Sequence, residues 1–260
     1  MPSLYIDTHC HLASPRFDSD RDDVASRCRA AGVGMLTVGG DVASSRLSLD
    51  MALRHPGVRA AVGVHPCDID GLTEEGWQEI VEMAGNQEVA AIGETGLDYY
   101  WKDTSPDDQK KWFDRHIELA LVTGKPLSVH ARDSVKDVLA TLGPRMGDGL
   151  KAIWHCFVAG KKEIGPALDF AVANGIYLAV GGMATFEDQK PLRNHVPLIP
   201  DELLLLETDS PYIIPRPKTR DRNEPDGVIR VAEALAELRK TTPERVAEIT
   251  TRNAVSLLGF

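Results

Sequence analysis

A chain of 260 residues can bury one large core, and with 43% hydrophobic and 26% charged residues its composition is ordinary for a globular protein. Twenty-nine basic against thirty-nine acidic residues give a formal net charge of −10, which excludes broad electrostatic attraction to a polyanion. A polyanionic substrate would have to be held by a local basic patch or by bound metal.

No apolar run approaches the roughly 18 residues of a membrane span. Met1-Pro2-Ser3 lacks the basic and apolar regions of a signal peptide, so a cytoplasmic location is expected. Cys10, Cys28, Cys67 and Cys156 form no Cys-x-x-Cys pair, which points to reduced thiols rather than a disulfide framework.

Short apolar runs alternate with longer amphipathic ones. Leu4-Tyr5-Ile6 reads as a buried strand leading into Asp7-Thr8-His9-Cys10-His11. Asp18 to Ala31 reads as a helix, acidic at its start and closed by Gly32. Strand Gly34 to Val38, helix Val42 to Arg54 and strand Val58 to Val64 follow, the last ending at His65-Pro66. Helix Leu72 to Ala84 has Thr73 as its N-cap. Strand Val89 to Ile92 runs into Gly93-Glu94-Thr95-Gly96-Leu97-Asp98, and Ser105-Pro106 opens a helix to about Val122. The second half repeats the scheme. Strand Pro126 to Val129 delivers His130-Ala131-Arg132, with a helix from Ser134 to Leu142. Strand Leu150 to Trp154 delivers His155-Cys156-Phe157, with a helix from Glu163 to Ala173. Strand Gly175 to Val180 precedes a helical turn over Asp188 to His195. Strand Leu203 to Leu206 delivers Glu207-Thr208-Asp209-Ser210-Pro211, and helices Val228 to Arg239 and Pro243 to Leu258 close the chain. Eight such strands without a linker predict a single (β/α)8 TIM barrel over residues 1–260. An open doubly wound sheet is disfavoured because no Gly-x-Gly-x-x-Gly turn follows the first strand.

His9 and His11 follow the first strand, His65 the third, Glu94 the fourth, His130 the fifth, His155 the sixth and Asp209 the eighth. In a barrel these positions share the C-terminal rim, where active sites are built. Two imidazoles spaced i, i+2 on an extended backbone reach one ion. Four imidazoles and two carboxylates suffice for two divalent ions with one carboxylate bridging. His55, His116 and His195 lie away from strand ends and read as structural.

These motifs make the chain resemble the TatD family of metal-dependent deoxyribonucleases, within the amidohydrolase-like barrels. Asp7 to His11, Gly63 to Pro66, Gly93 to Tyr100, Val129 to Arg132, His155 to Phe157, Glu207 to Tyr212, Arg222 to Pro225 and Thr250 to Ala254 carry the likeness. It implies that His9, His11, Glu94 and Asp209 hold one ion, and that Glu94, His130 and His155 hold the second. It further implies magnesium-supported nuclease activity, whereas the His-rich set itself favours zinc, manganese, iron or nickel. Two departures stand out: Thr95 where the family usually has Ile, and Val158-Ala159-Gly160 where a small polar residue and Gly follow the His-Cys-Phe.

The expected reaction is hydrolysis of DNA phosphodiester bonds, exonucleolytic on single-stranded ends. Divalent ions bring a water's pKa toward neutrality and clamp attacking and leaving oxygens. Asp209 is expected to orient that water or take its proton, with Glu94 as the bridge, and His65 to bond a phosphate oxygen or the leaving group. Arg132, Glu207 and Arg222 are candidate substrate contacts. Glu207 is equally suited to anchoring a histidine. Tyr99, Tyr100 and Trp101 are candidates for base stacking. Arg216, Lys218, Arg220 and Arg222, with Asp221, give the loop after the eighth strand a charge of about +3. The competing reading is an amidohydrolase cleaving a C–N or ester bond with the same metal pair. The absence of a lysine from Gly93 to Asp98 that could be carbamylated weighs against it. A noncatalytic barrel fits a full rim of ligand-type side chains least well.

Overall fold

Strands β1 (Tyr5–Cys10), β2 (Val33–Val38), β3 (Val58–Val62), β4 (Val89–Asp98), β5 (Leu127–Arg132), β6 (Ala152–Trp154), β7 (Tyr177–Val180) and β8 (Leu204–Leu206) form one parallel sheet in sequential order. The computed structural model describes residues 4–260. Met1-Pro2-Ser3, read above for its lack of signal-peptide character, lies outside the described residues.

The sheet curls until β8 meets β1. Thr8 Oγ1 donates to the Leu206 carbonyl (2.8 Å), Asp209 N–H to the His9 carbonyl (2.9 Å) and His11 N–H to the Ser210 carbonyl (2.7 Å). Asp7, fully buried, spans the same seam by accepting from Thr208 N–H at 2.8 Å and Thr208 Oγ1 at 2.5 Å. The result is a nearly closed TIM-type barrel, with β8 returning the chain to the place where it started.

Helices α1 (Arg21–Ala30), α2 (Val42–Arg54), α3 (Glu74–Ala84), α4 (Pro106–Thr123), α5 (Val135–Met146), α6 (Ile164–Asn174), α7 (Lys190–His195), α8 (Val228–Arg239) and α9 (Pro243–Leu258) alternate with the strands or follow the last one. Their starts follow capping chemistry. Asp41 and Ser44 form a capping box, and Thr73, Ser105 and Thr242 accept from the first-turn N–H groups of α3, α4 and α9. One apolar cluster gathers Ile6, Leu36, Ala61, Ala91, Ile153, Ala179 and Leu205 from seven strands, together with Ala254 and Leu258 of α9. The exception among the strands is β5, whose buried Ser128 lies within 3.4 Å of His9 Nδ1.

The fold differs from the sequence reading chiefly at β4. The apolar run ends at Ile92, yet the strand continues six residues to Asp98, paired with β5 as far as Arg132. The polar residues there remain buried because the neighbouring strand and the site supply partners, which apolar periodicity alone does not register. Helix α5 likewise runs past Leu142 to Met146 and tolerates Pro144 near its end.

Candidate metal centre

Backbone irregularities aim the functional side chains. Between Asp7 and Cys10 three residues of β1 advance against two of β2, and between Ile92 and Thr95 three of β4 advance against two of β5. These bulges fall at His9 and Glu94, where an extra residue turns a side chain out of the regular alternation. Two glycines let β4 lie flush on β5. A Cβ at Gly93 would stand 2.5 Å from the Ser128 carbonyl oxygen, and one at Gly96 would stand 2.1 Å from that of His130. Both have positive φ, 107° and 138°, so neither the space nor the backbone admits another residue.

Glu94 occupies the middle of the site. Its Oε2 lies 3.3 Å from His9 Nε2 and 3.6 Å from His11 Nε2. Its Oε1 lies 2.7 Å from His130 Nδ1, 3.6 Å from His155 Nε2 and 3.7 Å from His65 Nε2. One carboxylate therefore turns each oxygen to a different group of imidazoles. Asp209 Oδ1 completes the first group, 3.2 Å from His11 Nε2. Burial alone would raise the Glu94 pKa, but His155, His65, His9 and the bond from His130 hold it well below the usual carboxylate range. Burial likewise opposes ionisation of Asp209, and the His11 bond with the neighbouring imidazoles overcomes it.

The far side of each ring fixes what the near side offers. His11 Nδ1 donates to the Val38 carbonyl at 3.1 Å, which leaves Nε2 bare. His155 Nδ1 donates to Glu207 Oε2 at 2.9 Å, and His130 Nε2 to Asp98 Oδ2 at 3.0 Å, each a carboxylate that orients a ring. His9, stacked on His155 with ring centroids 3.5 Å apart, faces Ser128 with Nδ1 and brings Nε2 within 3.3 Å of His11 Nε2. Burial and His155 press the His9 pKa down to about 3 against the pull of Glu94. Imidazole nitrogens and carboxylate oxygens thus converge at a largely buried point, where neutral His9, His11, His130 and His155 would each turn a lone pair inward. That donor set fits divalent cations.

His65 differs from the others. The Cys67 N–H donates to its Nδ1 at 3.1 Å, so the neutral ring carries its proton on Nε2, the atom facing Glu94. Burial drives its pKa down to about 4. His65 lies among the ligand-type residues as a hydrogen-bond donor.

Other expected site residues are placed less uniformly. Arg132, the last residue of β5, lines the cavity above the cluster with its guanidinium 3.8 Å from the Tyr100 ring centroid. Asp98 accepts from His130 through one oxygen and from the N–H groups of Tyr100 and Trp101 through the other, ordering ring and loop together. The expectation that Glu207 touches substrate is corrected. It is fully buried, and its second oxygen accepts the Cys156 N–H at 2.8 Å. Arg222 is also corrected, because it lies outside the cavity. It binds Asp20 through both terminal nitrogens, reaches Glu224 and donates to the Arg16 carbonyl. Arg220 pairs with Asp226 and Glu224, and Lys218 with Asp221, so most of the loop's formal charge is locally neutralised. Tyr99 is directed away and donates to Asp137.

Two buried residues brace the site from behind; sequence reasoning read His116 as structural and did not single out Gln109. His116 of α4 donates through Nδ1 to the Trp112 carbonyl and accepts the Val64 N–H through Nε2 at 3.0 Å, bracing the residue before His65. Gln109 clamps Asp98 at both its N–H and its carbonyl. Gln109 lies in the first turn of α4 and His116 mid-helix, both on its buried face, without a local pattern that marks them. Backbone strain also collects here. Of five non-glycine residues with positive φ among the described residues, Asp133, Cys156, Asp209 and Ile213 border the cavity.

The cavity above the cluster has a volume of about 1100 Å³ and reaches from Ser14 and Asp68 to Val158 and Ile213. A TIM-type barrel with buried histidines and carboxylates at the C-terminal strand ends defines a metal-dependent hydrolase. The family described as TatD related DNase matches residues 6–259, and the chain belongs to that family. It is 37% identical over 255 residues to YabD of Bacillus subtilis, an uncharacterized metal-dependent hydrolase, covering 98% of each chain. It is 35% identical over 258 residues to the 3'-5' ssDNA/RNA exonuclease TatD of Salmonella typhimurium, covering 97% of this chain and 98% of that one. The crystal structure of YJJV, a TatD homolog from Escherichia coli K12, superposes with a TM-score of 0.91 at 25% identity, covering all of both chains. No helix among the described residues is long and apolar enough to cross a membrane.

Proposed function

We propose that the chain hydrolyses phosphodiester bonds in DNA, removing nucleotides from single-stranded ends. The arrangement of Glu94 carries this reading, with one oxygen toward His9 and His11 and the other toward His130 and His155. His9, His11, Glu94 and Asp209 would hold one divalent ion, and Glu94, His130 and His155 the second. Bound there, the ions supply charge stabilisation and a water acidic enough to ionise near neutral pH. Magnesium follows from the family likeness; the imidazoles suit manganese or zinc equally.

The protein's own groups do the rest. Asp209 Oδ1 receives the proton of the attacking water, and the left-handed backbone at this residue (φ 56°) holds the carboxylate over the rim. His65 Nε2–H donates to a nonbridging phosphate oxygen. Glu207 and Asp98 keep His155 and His130 in the ligating tautomer. Arg132 and the half-exposed Tyr100 and Trp101 form a cationic and aromatic edge that suits an unpaired base. The exonuclease name of the Salmonella relative supports the same substrate class.

End-labelled single strands incubated with magnesium or manganese, with and without chelator, test the proposal. Stepwise shortening that stops on chelation is expected. Cleavage indifferent to chelator, or hydrolysis of small amides or esters with intact strands, would overturn it.

A further inference from the structure

A second, shallower groove of about 410 Å³ opens beside the metal-centre cavity and shares Tyr212 and Ile213 with it. Arg16, Phe186, Pro211, Ile214, Arg216 and Lys218 line its remaining wall. The Arg16 guanidinium lies 5.9 Å from the Tyr212 ring centroid, and that of Arg216 lies 5.3 Å from the Phe186 ring. Tyr212 meets His11 edge-on at 5.9 Å, so one ring borders both the ligand cluster and the groove.

The charges here contrast with the rest of the rim. The larger cavity is bordered by Asp41, Asp68, Asp98, Asp133, Glu163 and Asp209, with Arg132 its single lysine or arginine. In the loop after β8, Lys218, Arg220 and Arg222 are matched by Asp221, Asp226, Glu224 and Asp20. Among the described residues, Arg16 and Arg216 have aromatic neighbours and no carboxylate partner. Their backbones are nevertheless fixed. The Arg16 carbonyl accepts from Arg222, and the Arg216 N–H donates to Thr185 Oγ1 at 2.8 Å. Anchored main chain under uncommitted guanidinium groups, beside the half-exposed Tyr212 ring and the partly buried Phe186 ring, matches a backbone of phosphates carrying unpaired bases.

We propose that this groove binds the continuing part of the single-stranded substrate. Arg16 and Arg216 contact phosphates beyond the scissile one, and Tyr212 stacks on a base between them. The inference rests on the phosphodiesterase reading for the identity of its occupant. It adds a subsite that favours strands of several nucleotides over dinucleotides.

The test uses the full chain with magnesium and the substitution Asp209→Asn, so that the strand survives the measurement. Fluorescence anisotropy compares an oligothymidylate of about eight nucleotides with a dinucleotide at about 0.1 M salt, with and without Arg16→Glu and Arg216→Glu together. The paired substitutions are expected to weaken octamer binding about tenfold or more and leave dinucleotide binding unchanged. The octamer's salt slope should fall by about 1.4, two lost contacts at about 0.7 each. An unchanged octamer affinity, or an equal loss for both lengths, would overturn the subsite. Hydrolysis of bis(p-nitrophenyl) phosphate with Asp209 intact separates the two readings. The Arg16/Arg216 variant should match the unmodified chain there. If the unmodified chain fails to turn over that ester, the hydrolytic reading falls, while the anisotropy result still decides the groove.

Discussion

Replacing Glu207 with glutamine changes one buried atom and sets two bonds against each other. In the native site both carboxylate oxygens accept, one from His155 Nδ1 at 2.9 Å and one from the Cys156 N–H at 2.8 Å. A glutamine has only one oxygen. If its NH2 faces Cys156, two donors oppose each other in a fully buried place, at a cost of about 1–3 kcal/mol. If the NH2 faces His155, the neutral ring must carry its proton on Nε2, and the lone pair aimed at the Glu94 side is lost. Either outcome weakens the site without emptying the pocket of volume. Loss of a ring-orienting partner generally costs about 10–100-fold in metal affinity, equivalent to about 1.4–2.7 kcal/mol. Isothermal titration of the apo chain with manganese or zinc should show the ion beside His155 weakened by that factor, with hydrolysis falling in parallel. Wild-type affinity and rate in Glu207→Gln, together with unchanged stability in denaturant, would refute the assignment of Glu207 as the residue that sets the His155 tautomer.

His65→Ala should lower kcat by about 10²–10³, the usual loss for one donor to a developing oxyanion, while ion stoichiometry by mass spectrometry stays constant; partial rescue by His65→Gln identifies the N–H as the active feature. His116 ties stability to pH. Burial depresses its pKa from 6.5 to about 4, so the unfolded chain takes up this proton first and stability is lost as pH falls from about 6.5 through 4. Urea denaturation should register this group as about 2 kcal/mol between pH 7.5 and 5, and His116→Gln should remove that share of the pH dependence. Thr208→Val deletes the hydroxyl donor to Asp7 and strands the Ser210 N–H that Thr208 Oγ1 accepts, so a loss of about 2–3 kcal/mol is expected from denaturant curves. Dialysis against chelator should lower the thermal midpoint, since a ligand at 100 times its Kd stabilises by about 2.7 kcal/mol; equal midpoints with and without added manganese would contradict ion binding at this cluster.

The strand order and most helix positions were legible because apolar runs, caps and glycines obey local chemistry. Ligand-type residues were legible because each follows an apolar run, the arrangement a barrel rim demands. What stayed hidden depends on contacts between distant segments. Glu207 and Asp209 sit two residues apart in the same motif, yet only the neighbouring strands decide that one supports His155 while the other faces the cavity. Arg222 looked like a phosphate contact because its formal charge is visible in sequence. Asp20, 202 residues away, claims it instead. His116 was read as structural, but its partner was not visible. Its bond to Val64 spans 52 residues and leaves no periodic trace. The six extra residues of β4 were missed because glycine and buried carboxylate both break the apolar pattern while the ladder with β5 continues.

The seam between β8 and β1 has a bearing on how the protein is made. His9 and His11 leave the ribosome some two hundred residues before Asp209, yet Asp209 N–H bonds directly to the His9 carbonyl. Any nascent or truncated chain that stops before Asp209 therefore lacks one member of the proposed ligand set. On the proposed reading the two-ion site is assembled only when β8 zips onto β1, which ties hydrolysis to closure of the barrel.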